Sequence, residues 1–403
     1  MRTTFSTSLY RGRHKRIGRI ARRIVLLTII VLLCIPVGIA LADPPKTDDG
    51  PDIEQALEFF DFSHIDDLMN DGETIRNFST KELITRLIDS GYDFNEVLSM
   101  INLGDAFAYS FKRSIRLLIT FVVLIVITFL IRSIGKKSDY NDFAEKIVLI
   151  LCMVITVPVI RDCARSATQV YTEVKNVSNV TVPILATVLT AMGGIGSAGL
   201  TQALLLLVND SLLSIIQTVL MPVIASMAII YLISPLVKRK WLDGIADTAD
   251  SAIKWSIGLL VTISSAIFSL RTMSMSAVDG VMLRTAEYAI DDLVPIVGGA
   301  ISDITAVMAG GILMVKNAVG IVAVLLIVIK TAAPILLIIM YMLIYKVAFA
   351  ICKMMDSDYL AELTNNISKV LLLYLICCFS VMMMIMVIVV SSVAAANRII
   401  TYR

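Results

Sequence analysis

The chain has 403 residues, of which 57% are hydrophobic and only 17% charged, with a mean hydropathy of +0.84. Ordinary globular chains are about 45–50% apolar and about 25% charged, so a water-soluble domain has no way to hide this much apolar surface, and lipid is the expected solvent for most of it. A net charge of +2 excludes a generally basic nucleic-acid binder. Two histidines without a cysteine cluster argue against a zinc or haem enzyme, and no cofactor is expected.

Residues 1–23 carry eight basic side chains (Arg2, Arg11, Arg13, Lys15, Arg16, Arg19, Arg22 and Arg23) and no acid. An apolar run over 24–41 follows, closing on Ala40-Leu41-Ala42 before Asp43. This is the order of a secretory signal peptide, with an uncleaved anchor as the competing reading; either puts the next segment outside the cytoplasm. Residues 43–113 hold 16 Asp/Glu against 6 Lys/Arg. Ile53, Ala56, Leu57 and Phe60, then Leu83, Ile84, Leu87 and Ile88, recur at helical spacing and predict short amphipathic helices. Ser79 with Glu82 reads as a capping box for the second of them. The segment is an acidic solvated collar over the membrane or a docking face for a basic partner.

Apolar spans are predicted at 115–133, 147–162, 211–236, 255–270, 333–352 and 369–393. Basic residues set the orientation: Arg132, Lys136, Lys137 and the run Lys238-Arg239-Lys240 belong inside. Two further apolar stretches, 181–208 and 295–331, are broken by glycine and small polar residues. About ten apolar residues on each side of Gly193-Gly194-Ile195-Gly196 reach only about 15 Å as helix, which predicts a re-entrant hairpin for 181–208. For 295–331, one crossing plus an interfacial helix is an equal reading.

Val182-Pro183-Ile184 recurs as Val294-Pro295-Ile296, and Gly199 and Pro222 recur as Gly311 and Pro334, all at an offset of 112. The block order repeats as well, which predicts a parallel duplication. Paired broken segments point to a central site or pore. The organisation expected is a signal or anchor over 1–42, an exported acidic region over 43–113, two transmembrane helices within 114–180, a first repeat over 181–270, an extracytoplasmic amphipathic link over 271–293, and a second repeat with the tail over 294–403. The fold class is all-α: a polytopic helical membrane protein of about six spans with two glycine-broken re-entrant segments.

Gly194, Gly196 and Gly199 spell a dinucleotide-binding fingerprint but follow no strand and open no βαβ unit. They read instead as sites of close backbone approach or helix unwinding, as do Gly298, Gly299, Gly310 and Gly311. Charges in hydrocarbon cost about 2.5–3.5 kcal/mol on insertion scales, so they face the bundle interior or water. On that ground Asp210, Asp303, Lys316 and Lys330 are candidates for a polar lining, with Asp303 pairing one of the lysines. Snorkelling to an interface is the competing reading for Lys316 and Lys330. Together with Pro183, Gly193 and Pro295 these residues form the conduit or hinge set. The Met382–Met384 run, with Met386 and Cys377-Cys378, reads as adaptable packing. No catalytic motif of a hydrolase appears.

Val182-Pro183-Ile184-Leu185 leading to Gly193-Gly194, then Val278-Asp279-Gly280-Val281 through Arg284-Thr285-Ala286, then the block from Val294-Pro295-Ile296 through Gly298-Gly299 to Ser302-Asp303, and finally Lys316-Asn317-Ala318-Val319-Gly320, resemble in their order the stage III sporulation protein AE family of endospore-forming Firmicutes. The likeness covers roughly 180–390. The resemblance implies a non-enzymatic subunit of the multiprotein channel between mother cell and forespore, in the mother-cell-derived outer forespore membrane, working after engulfment. The partners it implies are the other stage III A sporulation membrane proteins, one of them a secretion-type ATPase, and through the complex stage II sporulation protein Q. It carries over no catalytic residue. An independent secondary transporter or a passive membrane scaffold fits the residues alone as well.

Overall fold

The computed structural model describes residues 57, 60–70, 79–89, 103–134, 139–191, 195–237, 244–268 and 298–401. The chain divides into Met1–Pro44 and Pro45–Arg403, and every described residue belongs to the second unit. The leader and the link expected over 271–293 lie outside the described residues.

Two short helices come first, α1 (Ser63–Asn70) and α2 (Thr80–Asp89). Phe62, Ile65 and Met69 of α1 are buried, and in α2 Leu83, Ile84 and Leu87 are buried on the face that the helical spacing marks; of the first predicted stretch, 53–60, only Leu57 and Phe60 fall within the described residues. The capping differs from the expected box. Glu82 reaches forward one turn to Arg86 at 2.8 Å, and the Thr80 backbone N–H at the start of α2 donates to the Asp66 carboxylate of α1. The cap is thus supplied in space rather than in sequence, and it ties the two helices together. At the start of α1 the Ser63 backbone N–H donates to Asp61, which holds that carboxyl below its ordinary range.

The rest is long helices: α3 (Leu103–Ile134), α4 (Asp139–Ala191), α5 (Ile195–Leu206), α6 (Met221–Val237), α7 (Gly244–Phe268), α8 (Gly298–Met354) and α9 (Asp358–Thr401). Among the described residues, five helical stretches are long and apolar enough to cross a membrane: Glu145–Ala191, Leu213–Val237, Gly244–Phe268, Met314–Met354 and Asp358–Val393, with Ile115–Leu130 a shorter apolar helix. These six contain or overlap the predicted spans.

Helix length departs from expectation. At 1.5 Å per residue the 53 residues of α4 run about 80 Å and the 57 of α8 about 85 Å, against a hydrocarbon core of about 30 Å. The stretch 181–208 is the end of α4 followed by α5, which packs back on α4, so the hairpin forms at the tip of two long helices. The stretch from Gly298 onward is helical without a break through Gly299, Gly310, Gly311 and Pro334. Glycine costs about 1 kcal/mol in a helix facing water. In an apolar setting no solvent competes for the backbone groups, so the ladder holds.

Between α5 and α6 the helix widens into two π segments, Leu207–Leu212 and Ile216–Leu220. The second ends two residues before Pro222. Proline brings no N–H to the ladder and its ring presses on the carbonyl four residues back; the Met221 N–H turns instead to the Ile216 carbonyl, five back.

α8 and α9 form an antiparallel hairpin. The turn has the Schellman hydrogen bonds, Ser357 N–H to Cys352 O and Asp356 N–H to Lys353 O, with Asp356 at φ 55°. A side chain in the left-handed region costs about 1–2 kcal/mol. Asp356→Gly is therefore expected to be about 1 kcal/mol more stable than Asp356→Ala, since both lose the carboxylate and only alanine keeps the strain. Unfolding of the two variants in detergent by denaturant titration checks this; equal midpoints would remove the strain argument.

The helix ends flanking the basic links meet at one end of the bundle. Ser357 at the α8–α9 turn bonds Glu145 near the start of α4, and Asp247 near the start of α7 meets Tyr231 of α6 and Lys369 of α9. α6 and α8 both run toward that end.

Exposure divides the bundle along its length. Near the basic end the large exposed side chains are apolar: Ile119, Phe129, Ile147, Val154, Ile229, Trp255 and Leu343 among others. Farther along α4 the exposed positions turn polar, with Arg161, Arg165, Thr168, Gln169, Thr172, Asn176 and Asn179 outside, while Cys163, Ala167, Val170, Val174 and Val177 are buried. The first zone suits lipid and the second water. In α8 every residue from 315 to 327 is buried, which makes that stretch the centre of the bundle.

Candidate functional site

The all-buried stretch of α8 contains the least expected side chain in it. Lys316 is fully buried, and its Nζ donates to the Val393 carbonyl of α9 at 3.0 Å. Beside it, Asn317 is buried and its Oδ1 has no hydrogen-bond partner among the described residues. Ser392 of α9, also buried, turns its hydroxyl to Ile388 O. One turn along α8, Gly320 faces Val393 so closely that an added Cβ would stand 2.5 Å from Val393 Cγ2. Lys316, Asn317, Gly320 and Val393 thus make a polar spot at a point where two helices nearly touch. A buried amine beside an unsatisfied amide costs stability, and such groups inside an apolar bundle are retained for a role.

Lys330 is half-buried on the same helix, 14 residues from Lys316. The expected ion pair with Asp303 does not form along α8. On one continuous helix Asp303 is displaced along the axis by about 20 Å from Lys316 and about 40 Å from Lys330, far beyond contact. The reason is the missing break: the pairing needed Gly310 and Gly311 to turn the chain back.

Gly298 and Gly299 open α8, and Gly311 is buried in it. Gly196 and Gly199 are exposed on α5, and a Cβ at Gly199 would meet nothing within 4 Å. Among the described residues nothing approaches Gly199 closely, whereas α9 does approach Gly320. Pro183 is inside α4, and Asp210 is in the first π segment. Gly193, Gly194 and Pro295, with the side chains of Asp210 and Asp303 and the surroundings of Gly310, lie outside the described residues.

Two clusters escape sequence reasoning altogether. Glu145 is buried and accepts a 2.8 Å hydrogen bond from Ser357 Oγ. Asp247 accepts from Tyr231 at 3.0 Å and pairs Lys369 at 3.2 Å, with the ammonium 5.2 Å from the centre of the Tyr231 ring. Each joins residues more than a hundred apart, and each carboxylate reads in sequence as part of a solvated link. Deeper in the bundle, Tyr345 donates to Thr156 at 3.0 Å and packs edge-on against Phe121, locking α3, α4 and α8. Met382 meets the Thr331 hydroxyl, and Met384 and Met386 are buried; the methionine run is core packing.

Comparison with known proteins adds to this geometry. Residues 78–396 match the family model described as Stage III sporulation protein AE. The chain is similar to Stage III sporulation protein AE of Bacillus subtilis (strain 168), at 24% identity over 297 residues, covering 74% of this chain and 71% of that protein. No solved structure matches.

Proposed function

This chain belongs to the stage III sporulation protein AE family, and from that premise we propose that it is a membrane subunit of the transenvelope channel joining mother cell and forespore, needed for forespore development after engulfment. It is a multi-pass membrane protein of a sporulation family. The observation that carries the finer reading is the length of the helical bundle. Along α4 an apolar-surfaced stretch about as thick as a bilayer continues into one with a polar exterior, so that helix offers a rigid surface beyond the membrane. The basic end faces the mother-cell cytoplasm, as the distribution of Lys and Arg favours. The polar-surfaced half then stands in the space between the two membranes, where the other stage III A proteins and stage II sporulation protein Q would meet it. The membrane is the mother-cell-derived outer forespore membrane, and the role is non-enzymatic.

In this reading the glycine positions Gly193, Gly194, Gly298 and Gly299, with Asp303, shape or line the conduit in the assembled complex. The secondary-transporter alternative drew on paired broken helices, and the continuity of α8 removes half of that pair. Gly194→Leu is expected to block spore formation after engulfment while the protein stays at normal abundance in the membrane fraction. Microscopy of sporulating cells complemented with the variant reads this out, and normal spores would sink the conduit role of the glycines.

A further inference from the structure

Between α3, α4 and α8 lies a cleft of about 470 Å³ that opens sideways from the bundle, a volume within the range of ordinary ligand sites. Its wall is apolar, formed by Leu117, Val154 and Val159 with Tyr341 of α8 behind them, and its polar groups include Arg116 and Asp162. Pro158, which also lines it, lacks an N–H and so leaves the Val154 carbonyl without its helical donor.

Three observations say what fills it. The surface around the cleft is the apolar zone: Ile119 is 58% exposed, Val154 63% and Val157 51%, so acyl chains surround it in a bilayer. Arg116 stands 18 residues from the end of α3 at Ile134, about 27 Å along the helix, which is close to the thickness of a hydrocarbon core and sets it at headgroup depth. Its charge is reinforced by exposed Lys112 one turn earlier on the same face and by exposed Arg161 beside Asp162 on α4. Within the cleft Arg116 faces the single carboxylate of Asp162, the two further cations stand nearby rather than in the lining, and Arg recognises phosphate through its fork of donors.

We propose that this cleft is a binding site for an anionic phospholipid with a hydroxylated headgroup of the phosphatidylglycerol kind. The phosphate lies on Arg116, a headgroup hydroxyl donates to the Asp162 carboxylate, and one acyl chain runs along Leu117, Val154 and Val159 toward Tyr341. The bound lipid wedges α3 against α4 and α8, so it acts as a structural part of the subunit.

The test uses the full chain in detergent, titrated with phosphatidylglycerol, phosphatidylcholine or inorganic phosphate while the melting temperature is followed. Phosphatidylglycerol should raise melting well above the effect of phosphatidylcholine, and inorganic phosphate should do nothing. Arg116→Gln should weaken the apparent affinity for phosphatidylglycerol at least about tenfold. Thr120→Trp, which fills the cleft from its rim, should abolish the difference between the two lipids. Without lipid both variants should melt near the unmodified chain, and Arg86→Gln, on α2, should keep the full lipid response. If Thr120→Trp does not fold, Thr120→Leu and Arg116→Gln carry the readout. Equal gains from the two lipids, an undiminished response in the Arg116 and Thr120 variants, or the same gain from inorganic phosphate would overturn the site.

Discussion

Gly320→Leu is expected to cost about 3 kcal/mol or more in fold stability and to loosen α8 from α9. The argument is steric. A single Cβ at this position already stands 2.5 Å from Val393 Cγ2, closer than non-bonded carbons come. Valine in a helix is stiff at χ1, so it yields little by rotating. Leucine adds three more carbons to a contact with no room for one, and overpacking of this kind costs about 1–3 kcal/mol before any helix displacement. The diagnostic experiment is a double-mutant cycle. Gly320→Ala should destabilise on its own, and Val393→Ala, by removing the opposing methyls, should relieve most of that loss. Additive effects of the two changes, measured by denaturant titration in detergent, would show that the helices do not meet there.

Lys316 gives the second large effect, and the choice of replacement decides its sign. Lys316→Ala deletes three buried methylenes and the amine and leaves a cavity among residues that are themselves buried from 315 to 327. The expected loss is about 2–4 kcal/mol, as for other long side chains truncated in a core. Lys316→Met keeps most of the stem and removes only the ammonium with its bond to Val393 O. Replacing a buried charged group by an apolar one of similar shape is neutral or stabilising by about 1 kcal/mol. The two variants should therefore differ by several kcal/mol in unfolding. Sporulation then separates structure from function: if the ammonium serves the conduit, the methionine variant is stable, sits in the membrane and fails to complement a deletion strain. A methionine variant that makes normal spores would reduce Lys316 to a tolerated core residue.

The contrast between Gly199 and Gly320 shows where sequence reasoning stops. Gly199 belongs to a glycine cluster and looks like a packing site, yet it faces open space. Gly320 is isolated in the sequence, yet α9 comes so near that an added Cβ would meet Val393. A glycine's role depends on what stands opposite it, and the opposing residue, Val393, is 73 positions away. Glu145 teaches the same with charge. It sits near the start of an apolar helix, where a carboxylate is ordinarily solvated, and becomes buried only because the α8–α9 turn delivers Ser357 to it. Lys316, by contrast, was legible as a candidate because a lysine inside an apolar run is improbable wherever that run ends up.

The sequence by itself determined the solvent of each segment. Hydropathy summed over twenty residues marks the membrane helices, the 3.6-residue period marks α2, and the distribution of Lys and Arg marks one end of the bundle; all are local sums that need no knowledge of neighbours. Tertiary structure alone decided that α4 and α8 run unbroken past their prolines and glycines, that the expected Asp303 pairing is out of reach, and which glycine is a contact. A helix continues or breaks according to whether surrounding side chains exclude water from its backbone groups, and that exclusion comes from α9 and the other helices packed against α8, residues far away in the chain.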